Sequence, residues 1–176
     1  MTSETTAAIT PVQAAKMLEV TVAVLQREVA ALPVELLQFR PAPGEWCINE
    51  VIGHLIETEE RGFAGRMRRM LAQDDYVCQP WDPDQVARDR RDDEKEAADL
   101  LANLAARRQE SIHFVQTLTP ADLARTAQHP VVGMLSVNDL LHEWVHHDRN
   151  HIKQIMSNVQ ARAWPHMGNS QAFTTL

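Results

Sequence analysis

Apolar residues recur along most of the chain at intervals of three and four positions, the spacing of an amphipathic α-helix. Four long segments carry this pattern: 11–32, 46–73, 85–117 or 92–117, and 136–160. No segment of similar length alternates as a strand does, and residues 126–135 are predicted to form an irregular connection. The pattern therefore predicts an all-α bundle, in which binding sites are typically built between facing helices.

Capping residues support the first and last of these helices. Thr10 precedes Pro11, and a proline is tolerated in the first turn of a helix. Ser136 precedes Asp139 by three positions, which is the spacing of a capping box. We therefore expect helices to begin at these two points.

The length of 176 residues fits one domain, 1–176, with a partly ordered tail at 161–176 that contains Pro165 and Gly168. No apolar run reaches the length needed to cross a bilayer, so no membrane partner is expected. Residues 1–6 lack a basic flank and an apolar core, so no secretory signal is visible, and a cytoplasmic location is predicted.

Charge and cysteine content exclude further classes. The formal net charge of −7 opposes binding to nucleic acid, which attracts basic surfaces. The one basic cluster contains Arg61, Arg66, Arg68 and Arg69, and it is interpreted as a solvated helix face near a helix C-terminus. The two cysteines are far apart, without a C-x-x-C motif, and are predicted to be free thiols.

The ten residues 142–151, H-E-W-V-H-H-D-R-N-H, contain four of the eight histidines. They include two His-x-x-x-His pairs, His142 with His146 and His147 with His151. A helix places residues four apart on one face, so either pair could bind one cation. The cluster predicts a metal site, and the question is which pair forms it.

The direction of each pair relative to the apolar stripe distinguishes them. His151 and His147 lie roughly 70° and 110° from the centre of the stripe, beside the predicted core. His142 and His146 lie roughly 110° and 150° away on the opposite flank, towards solvent. Together with Glu143, this outer pair also spells the H-E-x-x-H motif of zinc peptidases, in which the glutamate acts as the base. The inner pair is preferred, and the peptidase interpretation would require the outer pair to point inward.

A catalytic zinc usually takes three protein ligands and keeps one position open. The remaining candidates for a third ligand are His54, His113, His129, His166 and the carboxylates. His54 follows the proline-containing loop and lies away from the centre of its own apolar stripe, so periodicity alone leaves the third ligand undecided.

Several motifs together resemble the DinB/YfiT family over roughly residues 11–160. They are Trp46, Glu50, His54-Leu55 and Glu59, then His129-Pro130-x-x-Gly133-Met134, and finally His147-x-x-x-His151-x-x-Gln154-Ile155. The resemblance implies an antiparallel four-helix bundle, which we expect to be of the up-down-up-down type. It also implies a divalent metal, zinc or nickel, held by His54, His147 and His151.

The chemistry of such a site follows from its ligands. Three neutral imidazoles leave the charge of the ion unbalanced, which lowers the pKa of a bound water or thiol. Asp148 and Glu59 lie near the middle of apolar stripes, where a carboxylate needs a partner, and they are predicted to orient ligands or carry protons. Glu50 and Glu57 are further candidates for the same role.

The resemblance implies a metal-dependent transferase or hydrolase acting on a small molecule, either a conjugate of a low-molecular-weight thiol or an amide. The alternative is a stress-induced protein that binds a metal or a small molecule without turnover. An enzyme would keep an open position on the ion, whereas a structural site would be closed. A homodimer is compatible with a bundle of this size, although no sequence feature requires it.

Overall fold

Four long helices form the body of the protein in a computed structural model that describes residues 7–174. They are α1 (Pro11–Val29), α3 (Ile48–Arg61), α6 (Ala97–Gln116) and α8 (Val137–Ala163). The shorter helices are α2 (Val34–Leu37), α4 (Ala64–Ala72), α5 (Pro83–Arg90) and α7 (Pro120–Leu123). Turns of 3₁₀-helix cover Asp92–Glu94, Trp164–His166 and Gly168–Thr174. The prediction of an all-α four-helix bundle is confirmed.

Both predicted helix starts are confirmed by complete capping boxes. The Thr10 hydroxyl accepts a hydrogen bond from the Gln13 N–H at 3.3 Å, and the Gln13 side chain accepts one from the Thr10 N–H at 2.9 Å. At α8 the Ser136 hydroxyl accepts from the Asp139 N–H at 3.0 Å, and the Asp139 carboxylate accepts from the Ser136 N–H at 2.8 Å. These bonds satisfy backbone donors that a helix leaves free in its first turn.

The inward faces of the long helices bury two apolar clusters. One surrounds the fully buried Trp144 and includes Leu18, Phe63 and Met67. The other lies towards the opposite end of α3 and includes Ile52, Leu104 and Ile155. None of the helices in residues 7–174 is long and apolar enough to cross a membrane.

Contacts of α8 define the directions of its neighbours. The Ile9 N–H donates to the His142 ring, and Arg149 donates to the Met17 carbonyl, so α1 and α8 run parallel. The Asn158 amide, near the C-terminal end of α8, donates to the carbonyl of Trp46, just before α3 begins. Consequently α3 and α8 run antiparallel.

The connections of the bundle differ from the expected up-down-up-down order. Arg108 of α6 contacts Glu59 near the end of α3, and Asn49 near the start of α3 donates to the carbonyl of Lys95 just before α6. These contacts make α3 and α6 parallel neighbours. The chain between them, residues 62–96, is long enough to return to the starting end of the bundle, and long crossover connections of this kind are one of the known solutions for four-helix bundles.

The second helix was expected to continue to residue 73, but it is broken into α3 and α4. Phe63 has non-helical dihedral angles of φ −119° and ψ −91° between α3 and α4. Its ring is buried and stacks on Trp144 with centroids 5.1 Å apart. Gly62 and Phe63 both donate their N–H groups to the Thr58 carbonyl, which closes the end of α3. The packing of Phe63 in the core therefore breaks the helix at a point where the hydrophobic pattern alone predicts that it continues.

The third predicted helix is also shorter than expected, because α6 begins at Ala97. Arg91 adopts a left-handed conformation with φ 50°, which ends α5. Asp92 then lies buried and accepts hydrogen bonds from Arg90 at 3.0 Å and from Lys95 at 2.8 Å. This buried carboxylate fixes a non-helical corner between α5 and α6.

The connection at 126–135 is a β-hairpin, so the prediction of an irregular segment there is wrong. Strands β1 (Thr126–His129) and β2 (Gly133–Ser136) pair antiparallel, with His129 opposite Gly133. Gly133 has φ +83°, a conformation that glycine adopts at little cost. Each strand has four residues, which is too short for an alternating pattern to be distinguished.

The C-terminal end of the chain continues in helical turns. Helix α8 ends at Ala163, three residues beyond its predicted end, and 3₁₀ turns follow through Thr174. Residues 175–176 of the predicted tail lie outside the described residues, as do residues 1–6, where no signal sequence is predicted.

Candidate metal centre

Three histidines from two antiparallel helices converge at one point between α3 and α8. His147 Nε2 lies 3.0 Å from His54 Nε2 and 3.1 Å from His151 Nε2. The three candidate ligand atoms all lie within 4.8 Å of one another, in the one such cluster of His, Cys, Asp and Glu found among the described residues. The structure therefore brings together the three histidines on which the sequence analysis converged.

The spacing of these nitrogens fits a single divalent ion. Zinc–nitrogen bonds are about 2.0–2.1 Å long, so two nitrogens bound to one zinc ion can be separated by at most about 4.2 Å. The separations of His147 Nε2 from the other two Nε2 atoms, 3.0 and 3.1 Å, lie within this limit. Imidazole is a suitable ligand for zinc, nickel, iron and copper, so the donor set is compatible with zinc or nickel without selecting one of them.

Burial keeps these imidazoles in the neutral form that binds metals. It is the largest cause lowering the pKa of His54 to about 2, followed by the neighbouring rings of His151 and His147. Burial, with repulsion from His151 next, lowers the pKa of His147 to about 4. The pKa of His151 is also lowered, again mainly by burial. At neutral pH all three rings therefore present nitrogen lone pairs, which a cation would stabilise.

Hydrogen bonds on the outer ring nitrogens differ among the three histidines. His151 Nδ1 lies 2.8 Å from Gln154 Oε1, to which it donates, so its Nε2 is left as the acceptor that faces the cluster. The Nδ1 atoms of His54 and His147 are buried and have no hydrogen-bond partner within residues 7–174. Of the three outer ring nitrogens, only that of His151 is thus held by a hydrogen bond among the described residues, and the outer sides of the other two rings are positioned by packing.

Aromatic side chains provide this packing. The ring centroid of His54 lies 4.9 Å from that of Trp46 and 5.7 Å from that of Trp81. The Phe63 ring meets His147 edge-on, with centroids 5.0 Å apart. Trp46 and Trp81 thus both pack against a candidate ligand, and Trp81 does so from the loop before α5.

The two predicted carboxylates meet one buried arginine instead of the histidines. The Arg108 guanidinium donates to Glu59 at 2.6 Å and to Asp148 at 3.2 Å, and all three side chains are buried. Asp148 adjoins His147 in sequence, yet no hydrogen bond joins either carboxylate to the three histidine rings among the described residues. The other two carboxylates considered, Glu50 and Glu57, are also paired with arginines.

Sequence reasoning missed Arg108, although a signal for it exists. Arg108 lies four residues after Leu104 and four before Ile112, so it occupies the middle of the apolar face of α6. A charged side chain there requires a charged partner. Glu59 and Asp148 also lie within the apolar faces of their own helices. The sequence alone could therefore have predicted that Arg108 pairs with these two carboxylates.

The outer histidine pair lies away from the metal centre. His142 accepts a hydrogen bond from the Ile9 N–H and contacts the Asn138 carbonyl. His146 is exposed and bonds to Asn150, and Glu143 is exposed as well. The peptidase interpretation requires these side chains to face inward, which they do not. The H-E-x-x-H match at this position is therefore incidental.

Comparison with known proteins agrees with the fold. At 24% identity over 150 residues, 80% of each chain, the protein is similar to the "Putative metal-dependent hydrolase OB0782" of Oceanobacillus iheyensis. Its fold matches YfiT from Bacillus subtilis, described as "a probable metal-dependent hydrolase with an unusual four-helix bundle topology". That match has a TM-score of 0.81 and 19% identity and covers 93% of this chain and 94% of YfiT. The DinB superfamily model matches residues 17–155, and the chain belongs to this superfamily.

Proposed function

We propose that the protein is a metal-dependent hydrolase in which His54, His147 and His151 hold one divalent ion. The observation that carries this proposal is the convergence of three neutral imidazoles, with Nε2 separations of 3.0 and 3.1 Å. The reaction class is supported by a relative named a "Putative metal-dependent hydrolase", whose alignment at 24% identity covers 80% of this chain.

The arrangement provides one electrophilic centre bordered by aromatic walls. A divalent ion held there supplies Lewis acidity, which lowers the pKa of a water or thiol at an open position. Hydrolysis would use water, and transfer would use a thiol. Because the aromatic rings of Trp46 and Trp81 lie against His54, we infer a small-molecule substrate, either an amide or a conjugate of a low-molecular-weight thiol. Zinc and nickel are the ions we expect.

Asp148 and Glu59 are proposed to act through Arg108 as positioning residues. Asp148 follows His147 directly on α8, and Glu59 lies on α3 with His54. Their shared guanidinium therefore ties together the two helices that carry the ligands. We infer that this tie maintains the distance between the two halves of the metal site.

The test of metal binding is elemental analysis of the purified protein and two single variants. His147→Ala removes a proposed ligand, whereas His146→Ala removes its exposed neighbour and serves as the matched control. The proposal predicts about one equivalent of zinc or nickel in the wild-type protein and in His146→Ala, with little metal in His147→Ala. Equal metal content in all three proteins would overturn it.

Activity separates hydrolysis from the alternatives. The metal-loaded protein and His147→Ala would be assayed with a panel of amides, and with thiols plus an electrophile. Metal-dependent release of acid and amine supports the hydrolase, whereas consumption of a thiol in proportion to product would establish a transferase. Metal binding without turnover in either assay would favour a binding protein.

A further inference from the structure

The basic segment around α4 forms a cavity next to the metal centre. Its four arginines were predicted to form a solvated helix face. Arg61, Arg68 and Arg69 are exposed as predicted, whereas Arg66 is buried. Arg61 and Arg69 line a cavity of about 300 Å³ together with Tyr76, Gln79, Pro80 and Trp81. The cavity thus combines two guanidinium groups with aromatic and amide side chains.

Trp81 connects this cavity to the metal centre. Its indole stacks on His54 at an interplanar angle of 19°, with centroids 5.7 Å apart. The Arg61 guanidinium carbon lies 5.9 Å from the centroid of the same indole. A ligand in the cavity would therefore lie one aromatic ring away from a proposed metal ligand.

The arginines around the cavity outnumber their acidic partners. Glu57 accepts hydrogen bonds from Arg61 at 2.7 Å and from Arg90 at 2.6 Å, and Arg90 also donates to Asp92 at 3.0 Å. Arg69 pairs with Glu60, and both side chains are about half exposed, so this pair contributes little stability. An incoming anion would displace weak contacts and face an excess of positive charge.

Arg66 adds a charge that no carboxylate among the described residues neutralises. It is only 8% exposed, and it has no ion pair within residues 7–174. Its hydrogen bond goes to the carbonyl of Gln79, a residue that lines the cavity, at 3.4 Å. Buried charges are normally paired, so an arginine in this position favours an anion nearby.

We propose that this cavity binds the carboxylate of a small-molecule substrate, with Arg61 and Arg69 as its ligands and Arg66 as supporting charge. The planar guanidinium fork matches a carboxylate, and Trp81 would pack against the apolar part of the molecule. The substrate class is thus an acidic amide or thioether, with its apolar part directed towards Trp81 and the metal centre beyond that ring. This role as a substrate subsite rests on the proposed function.

The test measures binding to the full-length, metal-free protein, because carboxylates also bind open positions on metal ions. Isothermal titration calorimetry would compare hippurate, an aromatic amide with a carboxylate, with its neutral analogue hippuramide. Charge-assisted hydrogen bonds predict that hippurate binds at least about tenfold more tightly. Equal affinities, or no binding of hippurate, would overturn the proposal.

Three variants assign the preference to particular residues. Arg61→Gln and Arg69→Gln should each reduce the preference for hippurate to within about threefold, since each removes one charged donor. Arg68→Gln is the matched control, because Arg68 lies beside Arg69 on α4 but packs over Phe114, with a carbon-to-centroid distance of 4.7 Å. Retention of the full preference in both Arg61→Gln and Arg69→Gln would also overturn the proposal.

The two proposals fail in different ways. If the metal-free protein shows no preference for hippurate, while elemental analysis of the purified protein shows metal bound by the three histidines, only the subsite proposal fails. Absence of metal in the wild-type protein, with the preference intact, would remove the hydrolase and leave an anion-binding cavity.

Discussion

His54 Nε2 lies 3.0 Å from His147 Nε2, although 93 positions separate the two residues in the chain. The contact depends on the antiparallel packing of α3 and α8. At one end the Asn158 amide donates to the Trp46 carbonyl at 2.9 Å. At the other end Phe63 stacks on Trp144. The three-histidine cluster is therefore a product of tertiary packing, and changes that shift either helix should affect it.

Replacement of Arg108 should strongly destabilise the protein. Arg108 donates to Leu18, Glu59 and Asp148, which lie on three different helices. Arg108→Met would leave two buried carboxylates without a charged partner, and removal of one member of a buried ion pair costs about 3–5 kcal/mol. Urea denaturation monitored by circular dichroism measures this loss of unfolding free energy.

Arg107→Met is the matched control for that experiment. Arg107 is exposed and bonds to Asn103 within its own helix, so its replacement should change the unfolding free energy by less than about 0.5 kcal/mol. Similar effects of the two substitutions would contradict the assigned role of Arg108.

Gly53 should tolerate no side chain while Asp92 is present. A Cβ added at Gly53 would lie 1.8 Å from Asp92 Oδ2, and Asp92 is held by Arg90 and Lys95. We expect Gly53→Ala to cost about 1–3 kcal/mol of unfolding free energy, as overpacking does. In an Asp92→Ala background the same change should be neutral or stabilising by up to about 1 kcal/mol, because alanine is the better helix former. Equal effects in both backgrounds would refute the clash.

The metal-free protein should lose stability as the pH falls below neutrality. The folded pKa values of His54 and His147, about 2 and about 4, lie below the ordinary value of 6.5. The unfolded chain therefore binds more protons than the folded chain below pH 6.5, and acid favours unfolding. Each of the two histidines should cost roughly 1–2 kcal/mol of unfolding free energy between pH 6.5 and 5.

Denaturant titrations at pH 7.5, 6.0 and 5.0 test this prediction on protein stripped of metal. His147→Gln should reduce the dependence on pH in this window, whereas His146→Ala should leave it unchanged. An unfolding free energy that stays constant from pH 7.5 to 5.0 would show that the rings are not buried in the neutral form.

Both cysteines should be unreactive in the folded protein. Cys47 and Cys78 are fully buried free thiols. Burial raises the pKa of Cys47 to about 11 and raises that of Cys78 as well, so little thiolate forms at neutral pH. A disulfide exchange reagent such as DTNB should react with two thiols in urea and with almost none under native conditions. Rapid native reaction of either thiol would contradict the observed burial.

The hydrophobic pattern was sufficient to predict the bundle and the inner histidine pair. A period near 3.6 predicts the long helices, and His147 and His151 lie beside the apolar stripe of α8. His54 was different, since the pattern of its own helix left it undecided and only the resemblance selected it. Its contact with His147 crosses between helices, and periodicity within one helix contains no information on such pairing.

The remaining errors have physical causes of the same kind. The break at Phe63 depends on its stacking with Trp144, and the corner at Asp92 depends on two basic residues that fold back on it. The contact of Trp81 with His54 comes from a loop, which has no period to interpret. Arg108 was predictable in principle, because a charge within an apolar face requires a partner.

X-ray absorption spectroscopy on protein loaded with one equivalent of zinc tests the central claim most directly. Coordination by His54, His147 and His151 predicts three imidazole nitrogens at about 2.0–2.1 Å and no sulfur at about 2.3 Å. His146→Ala should give the same spectrum, and His147→Ala should not retain it. Fewer than three imidazole ligands in the wild-type protein, or a sulfur ligand, would contradict the account.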